Sequence, residues 1–202
     1  MTEWKEVKLG DLLNLITKGT TPPKGKGFVN YGINYIKSDA INYDGKIDVS
    51  KFVAIDEVTH LKFKRSQLEE SDILFSMAGA YLGKSGTVLK EMLPANTNQA
   101  LAILRVNQEK ALPKYVSFFL RQTSLIDYVN NMSGQSAQPN INFQEISSIG
   151  INLPPLPEQK AIVAKVEKLL ALCDQLESEI AQNQENAEKL MQAVLREAFS
   201  HN

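Results

Sequence analysis

The tripeptide Gly83-Lys84-Ser85 has the ending of a phosphate-binding loop, in which backbone N–H groups and the lysine grip nucleotide phosphates. The spacing argues against that chemistry. The loop needs a glycine at position 78, which is Ala78, and Gly79 comes one residue too late. A turn between two strands, with Lys84 projecting toward solvent or a phosphate, is the better account. Other catalytic chemistry finds little to work with. There is no nucleophile in a local motif, no Glu and His pair at metal spacing, no Gly-rich dinucleotide fingerprint and no Asn-Pro-Pro-Tyr motif to hold a flipped base. With only His60 and His201, general acid–base work would fall to carboxylates and lysines in no distinguishing arrangement. The single cysteine, Cys173, makes no internal disulfide and completes no zinc ligand set. The expectation is a binding module without a catalytic residue, metal or cofactor of its own.

Two stretches suit a nucleic-acid partner. No acidic residue falls between Asp11 and Asp39, while Lys18, Lys24, Lys26 and Lys37 do. Within that stretch Gly19-Thr20-Thr21-Pro22-Pro23-Lys24-Gly25-Lys26-Gly27 is a loop by composition. Lysines beside the Thr20 and Thr21 hydroxyls can follow a phosphate backbone; a merely solvated loop is equally compatible. The second stretch, 128–144, carries no charge and holds Asn130, Asn131, Gln135, Ser136, Gln138, Asn140 and Asn142. Amide side chains pair two-pronged with an adenine edge, with Gln135 and Ser136 favoured because Gly134 permits close approach. Capping of turns is the alternative use. The net charge of −1 conceals a division: residues 1–150 carry 17 Lys and Arg against 15 Asp and Glu, and residues 151–202 carry 5 against 8. If DNA is the partner, the first part holds it.

These residues need a frame. Leu153-Pro154-Pro155-Leu156-Pro157 reads as a stiff junction, dividing a domain at 1–152 from a segment at 158–200. The predicted fold is α+β: a mixed domain with one small sheet and short helices, followed by one long C-terminal coiled-coil helix. Strands are expected at Ile33-Asn34-Tyr35-Ile36, 47–55, 73–77, 86–89 and 100–106. A helix should begin at Pro113, with shorter ones near 9–16 and 143–148. After the junction, 158–202 contains no Gly or Pro, and Ile162, Val166, Leu169, Cys173, Leu176, Ile180, Asn183, Ala187, Leu190 and Val194 follow at spacings of four and three. That is a heptad seam. One seam with no second long helix to cover it implies a second copy of the chain, with Asn183 fixing register; a helix folded over its own domain is the alternative. No run of about 18 apolar residues exists and the first residues are charged, so neither a membrane span nor a signal peptide is expected, and a cytoplasmic protein is.

The sequence resembles the specificity subunits of type I restriction-modification systems. The resemblance rests on Gln138-Pro139-Asn140-Ile141-Asn142 through Ile149 and then Leu153-Pro154-Pro155-Leu156-Pro157-Glu158-Gln159-Lys160-Ala161-Ile162-Val163, which is similar to that family's junction from target recognition domain to helix. The opening Trp4-Lys5-Glu6-Val7-Lys8-Leu9-Gly10-Asp11-Leu12, Asp72-Ile73-Leu74-Phe75-Ser76 and Thr97-Asn98-Gln99-Ala100 are similar to looser landmarks. Members of the family usually hold two recognition domains and two long antiparallel helices, whereas this sequence has one of each. The resemblance implies a non-catalytic subunit that binds double-stranded DNA at a half-site. It implies pairing through the helix as a homodimer on an interrupted palindrome. It also implies modification subunits, which bind S-adenosylmethionine, and a restriction subunit using ATP and magnesium, docked on the scaffold. The loop at 18–26 corresponds to a family loop near DNA. A coiled-coil adaptor whose first domain binds protein is the competing reading.

Overall fold

In the computed structural model residues 3–23, 26–132 and 140–199 are described, with the backbone alone for 124 and 130–132. Among them the strands are β1 (Lys5–Lys8), β2 (Leu13–Lys18), β3 (Phe28–Val29), β4 (Ile33–Ile36), β5 (Val53–Ile55), β6 (Ile73–Ser76), β7 (Ser85–Thr87), β8 (Ala95–Thr97), β9 (Leu101–Val106) and β10 (Gly150–Leu153). The α-helices are α1 (Glu57–Lys62), α2 (Pro113–Leu120), α3 (Thr123–Met132), α4 (Phe143–Ser148) and α5 (Leu156–Phe199). The fold is thus mixed α and β with small sheets and a long C-terminal helix. Two units can be distinguished, Met1–Lys160 and Ala161–Asn202.

Among the described residues the first unit contains three sheets rather than one: β2-β9-β6-β7, β3-β5-β4-β8 and the pair β1-β10. The central strands β6 and β9 read as nearly continuous apolar runs, interrupted only by Ser76 and Arg105, because they are buried on both faces. Their inner side chains Leu74, Leu101 and Ile103 join Ile36, Ile41, Ala95 and Met92 in one core cluster, which fills the space between the two larger sheets. Arg105, near the end of β9, is tied by Nε and Nη2 to both oxygens of the fully buried Asp72 at 2.8 Å.

Two expected elements take other forms. Residues 9–16 are not a helix: Leu9–Leu12 is a 3-10 turn burying Leu9 and Leu12, and β2 follows, pairing with β9 across a bulge at Leu13/Leu15. The apolar spacing at 9, 12, 13 and 16 imitates a helical face, but β9 offers a ladder. In 47–55 only Val53–Ile55 is strand; Val49–Lys51 is a 3-10 turn whose Ser50 N–H is accepted by Asp48. Pro113 opens α2. Asn142 and Glu145 form a reciprocal capping box on α4, with Asn142 Oδ1 accepting from Gln144 and Glu145 N–H at 2.9 and 3.0 Å.

At the Pro-rich stretch β10 runs through Leu153 and α5 begins at Leu156, so Pro157 sits in the first helical turn, where its missing N–H leaves no bond unmade. That turn is held by Gln159, 1% exposed, whose amide accepts from Leu112 N–H and donates to Pro154 O, both at 2.8 Å. The Trp4 indole N–H donates to Glu158 at 3.0 Å. The 44 residues of α5 give a rod of about 66 Å. Among the described residues no helix is long and apolar enough to cross a membrane.

Candidate nucleic-acid interface

Chain leaving β2 at Lys18 enters the Gly-Thr-Thr loop, and backbone bonds fasten it at once. Gly19 N–H donates to Leu101 O at 3.2 Å and Thr20 N–H to Thr97 O at 2.9 Å. Gly19 lies so close to this turn that any Cβ would collide with the backbone of Thr97 and Asn98, which explains the glycine. On the far side of the turn Met77 N–H donates to Ala100 O, and Ile141 N–H donates to Met77 O, each at 2.9 Å; Asn140 bridges Ala78. Four segments, 18–21, 97–101, 77–78 and 140–141, therefore lie side by side as one stitched edge.

Side chains decorate this edge. The Thr21 hydroxyl donates to Gln99 Oε1. The Tyr35 hydroxyl, 3.3 Å from Thr21 Oγ1, donates to Thr20 O at 3.0 Å. Burial pushes the Tyr35 phenol above its ordinary pKa, against the pull of the Thr21 hydroxyl, so it remains a donor at neutral pH. Arg65, in the 3-10 turn Lys64–Ser66, donates from Nε to Thr20 Oγ1 at 3.4 Å. Lys18, Thr21, Lys26, Lys62, Lys64 and Arg65 are exposed, and among the described residues their cationic members form no ion pair.

The remaining nominated residues stand differently. Lys37 emerges beside Asn98, since Ile36 is in register with Thr97, but its ammonium is 3.8 Å from Asp39. Lys84 does not project into solvent: it is 9% exposed, with Nζ 3.6 Å from the Tyr43 ring centroid and 4.6 Å from that of Tyr81. Two ring faces compensate its desolvated charge. Lys24, Gln135 and Ser136 lie outside the described residues. Asn142, one of the amide cluster, is spent on the cap of α4. Among the described residues no group of three or more His, Cys, Asp or Glu could hold a metal.

Residues 1–185 match the family model of the type I restriction modification DNA specificity domain. The chain belongs to this family. The type I restriction enzyme EcoBI specificity subunit of Escherichia coli is 27% identical over 202 residues, covering 98% of this chain and 41% of the relative. The solved HsdS subunit from Thermoanaerobacter tengcongensis superposes with a TM-score of 0.70 at 25% identity, over 98% of this chain and 50% of that one. A chain from a structural study of assembly and conformational transition in the type I R-M system gives 0.73 at 24% identity, over the same shares, which supports the fold. The chain spans half or less of the length of each.

Sequence reasoning about this specificity domain passes over Lys62, Lys64 and Arg65, three cations in four positions, and Gln99 and Tyr35, which only the fold brings to the loop. Along α5, Ile162 and Val166 are half-buried, while Leu169, Cys173, Leu176, Ile180, Asn183, Ala187, Leu190 and Val194 are all exposed. Leu176, Ile180 and Leu190 leave 49%, 56% and 67% of their surface open.

Proposed function

We propose that this chain is a DNA sequence-reading subunit of a type I restriction-modification complex, acting by binding rather than catalysis. The observation that carries the reading is the stitched edge at 18–21, 97–101, 77–78 and 140–141, where Lys18, Thr20, Thr21 and Arg65 gather without carboxylate partners among the described residues. Cations and hydroxyls on a backbone-fastened ridge can hold duplex phosphates and fix register, and neighbouring side chains can then meet base edges. Residues 1–152 act as the recognition domain, 153–157 as the junction and 158–200 as spacer and dimerisation helix. The apolar stripe of α5 supports pairing with a second copy, because a row of exposed leucines and isoleucines at heptad spacing gains free energy when covered. A twofold pair of readers matches two half-sites in inverted orientation.

Modification and restriction subunits dock on this scaffold, and S-adenosylmethionine, ATP and magnesium bind to them. The complex works in the cytoplasm, where its DNA is. Two measurements test the reading. Genomic DNA methylated by the chain with its modification subunits is expected to carry a symmetric interrupted motif; an asymmetric or absent motif counts against it. Affinity for a cognate duplex is expected to fall steeply as salt rises; indifference to DNA would favour the adaptor reading.

A further inference from the structure

We propose that Arg65 is a specificity-determining residue, its guanidinium taking the O6 and N7 edge of one guanine in the major groove of the half-site. The inference rests on the DNA-reading function of the same edge and names a residue that reads it.

Four arginines are present: Arg65, Arg105, Arg121 and Arg196. Arg105 is consumed by Asp72 on two nitrogens and by Glu69 on the third, at 2.8, 2.8 and 2.5 Å. Arg121 donates to Asp44 O and lies over the Phe118 ring at 4.7 Å. Arg196 belongs to α5. Arg65 alone stands at the stitched edge, and its contact there is the long 3.4 Å bond from Nε to Thr20 Oγ1. Among the described residues neither terminal nitrogen has a hydrogen-bond partner, and that planar fork is the group that pairs two-pronged with guanine.

The backbone that carries Arg65 is held by a polar network around Asn96. Asn96 is fully buried. Its Nδ2 donates to Ser66 Oγ at 2.9 Å and to Phe63 O at 3.3 Å, and its Oδ1 meets His60 Nδ1 at 2.5 Å. Ser66 Oγ donates to Phe63 O at 3.0 Å, and Gln67 Nε2 to His60 O at 2.8 Å. A buried polar network thus pins the backbone on both sides of Arg65. A base contact needs its reading group placed to within about 0.5 Å, which starts from a fixed backbone, and the Nε bond to Thr20 Oγ1 restrains the side chain itself. Lys18, Lys62 and Lys64 beside it supply the phosphate contacts.

The test uses the purified full chain on duplexes with randomised half-sites, sequenced after retention, for wild type, Arg65→Lys and a Lys62→Ala/Lys64→Ala pair. Unchanged thermal melts establish that the exposed substitutions leave the fold intact. Arg65→Lys is expected to lose about tenfold to a hundredfold of the preference for guanine at one position and to keep the other positions. The lysine pair is expected to weaken retention for all sequences alike. A full wild-type motif for Arg65→Lys, or a uniform loss of affinity without change of motif, would overturn the assignment while leaving DNA reading intact. Absence of any motif for wild type would overturn both.

Discussion

Replacing Leu176 by Asp asks whether a second copy covers the apolar stripe of α5. Leu176 keeps 49% of its surface open to water. Burying a whole leucine contributes about 1.5–3 kcal/mol, so covering the open half is worth about 1 kcal/mol per chain and about 2 kcal/mol per twofold pair. Aspartate forfeits that gain and brings a carboxylate into the seam, where desolvation costs several kcal/mol per ion. A combined loss of at least about 4 kcal/mol corresponds to roughly a thousandfold rise in dissociation constant. Sedimentation equilibrium over a concentration series measures it, with Ile180→Asp expected to behave alike. Ser178→Asp is the control, because position 178 lies between the two on the opposite side of the helix. If Leu176→Asp associates as tightly as wild type, the seam is misassigned; if wild type is monomeric throughout, the paired architecture fails.

Four further outcomes are expected. Lys24→Ala with Lys26→Ala should weaken binding to all duplexes alike and make the log–log salt dependence shallower by about one for each phosphate no longer neutralised, read by filter binding at several salt concentrations. Gln135→Ala should alter sequence preference in randomised duplexes; a pure affinity loss removes it from the readers. Gln159→Leu leaves Leu112 N–H and Pro154 O unpaired in a buried place and should cost about 1–3 kcal/mol in urea unfolding. Tyr35 has a folded pKa raised above 10.0, chiefly by burial. Its contribution to stability is therefore complete below about pH 10 and drains away as pH rises through the folded value. Tyr35→Phe should cost about 1 kcal/mol at neutral pH, with the gap to wild type narrowing in alkali; a constant gap refutes the linkage.

What could be read from the chain was what neighbouring residues decide. Pro113 opening α2, the short helix near 143–148, the apolar runs of β6 and β9 and the heptads of α5 each carry their own signal. The division into three sheets does not, because β1 pairs with β10 from the far end of the first unit and β4 pairs with β8 only after the chain has laid down β6 and β7 of another sheet. At the interface, the lysine loop is visible as a stretch free of acid. Lys62, Lys64 and Arg65 escape the same criterion, since Asp56, Glu57, Glu69 and Glu70 bracket them. Lys84 looks like a surface cation until the fold lays Tyr43 and Tyr81 over it.

The four strips of chain at the stitched edge are joined through peptide N–H and C=O groups, which every residue except proline supplies in full. Exchanging the outward side chains therefore need not undo the seams between the strips, provided Gly19 remains. Under the proposed function such a ridge would behave like a type bed in which letters are replaced while the frame stays locked, and new targets would become reachable through a few surface substitutions rather than a new fold.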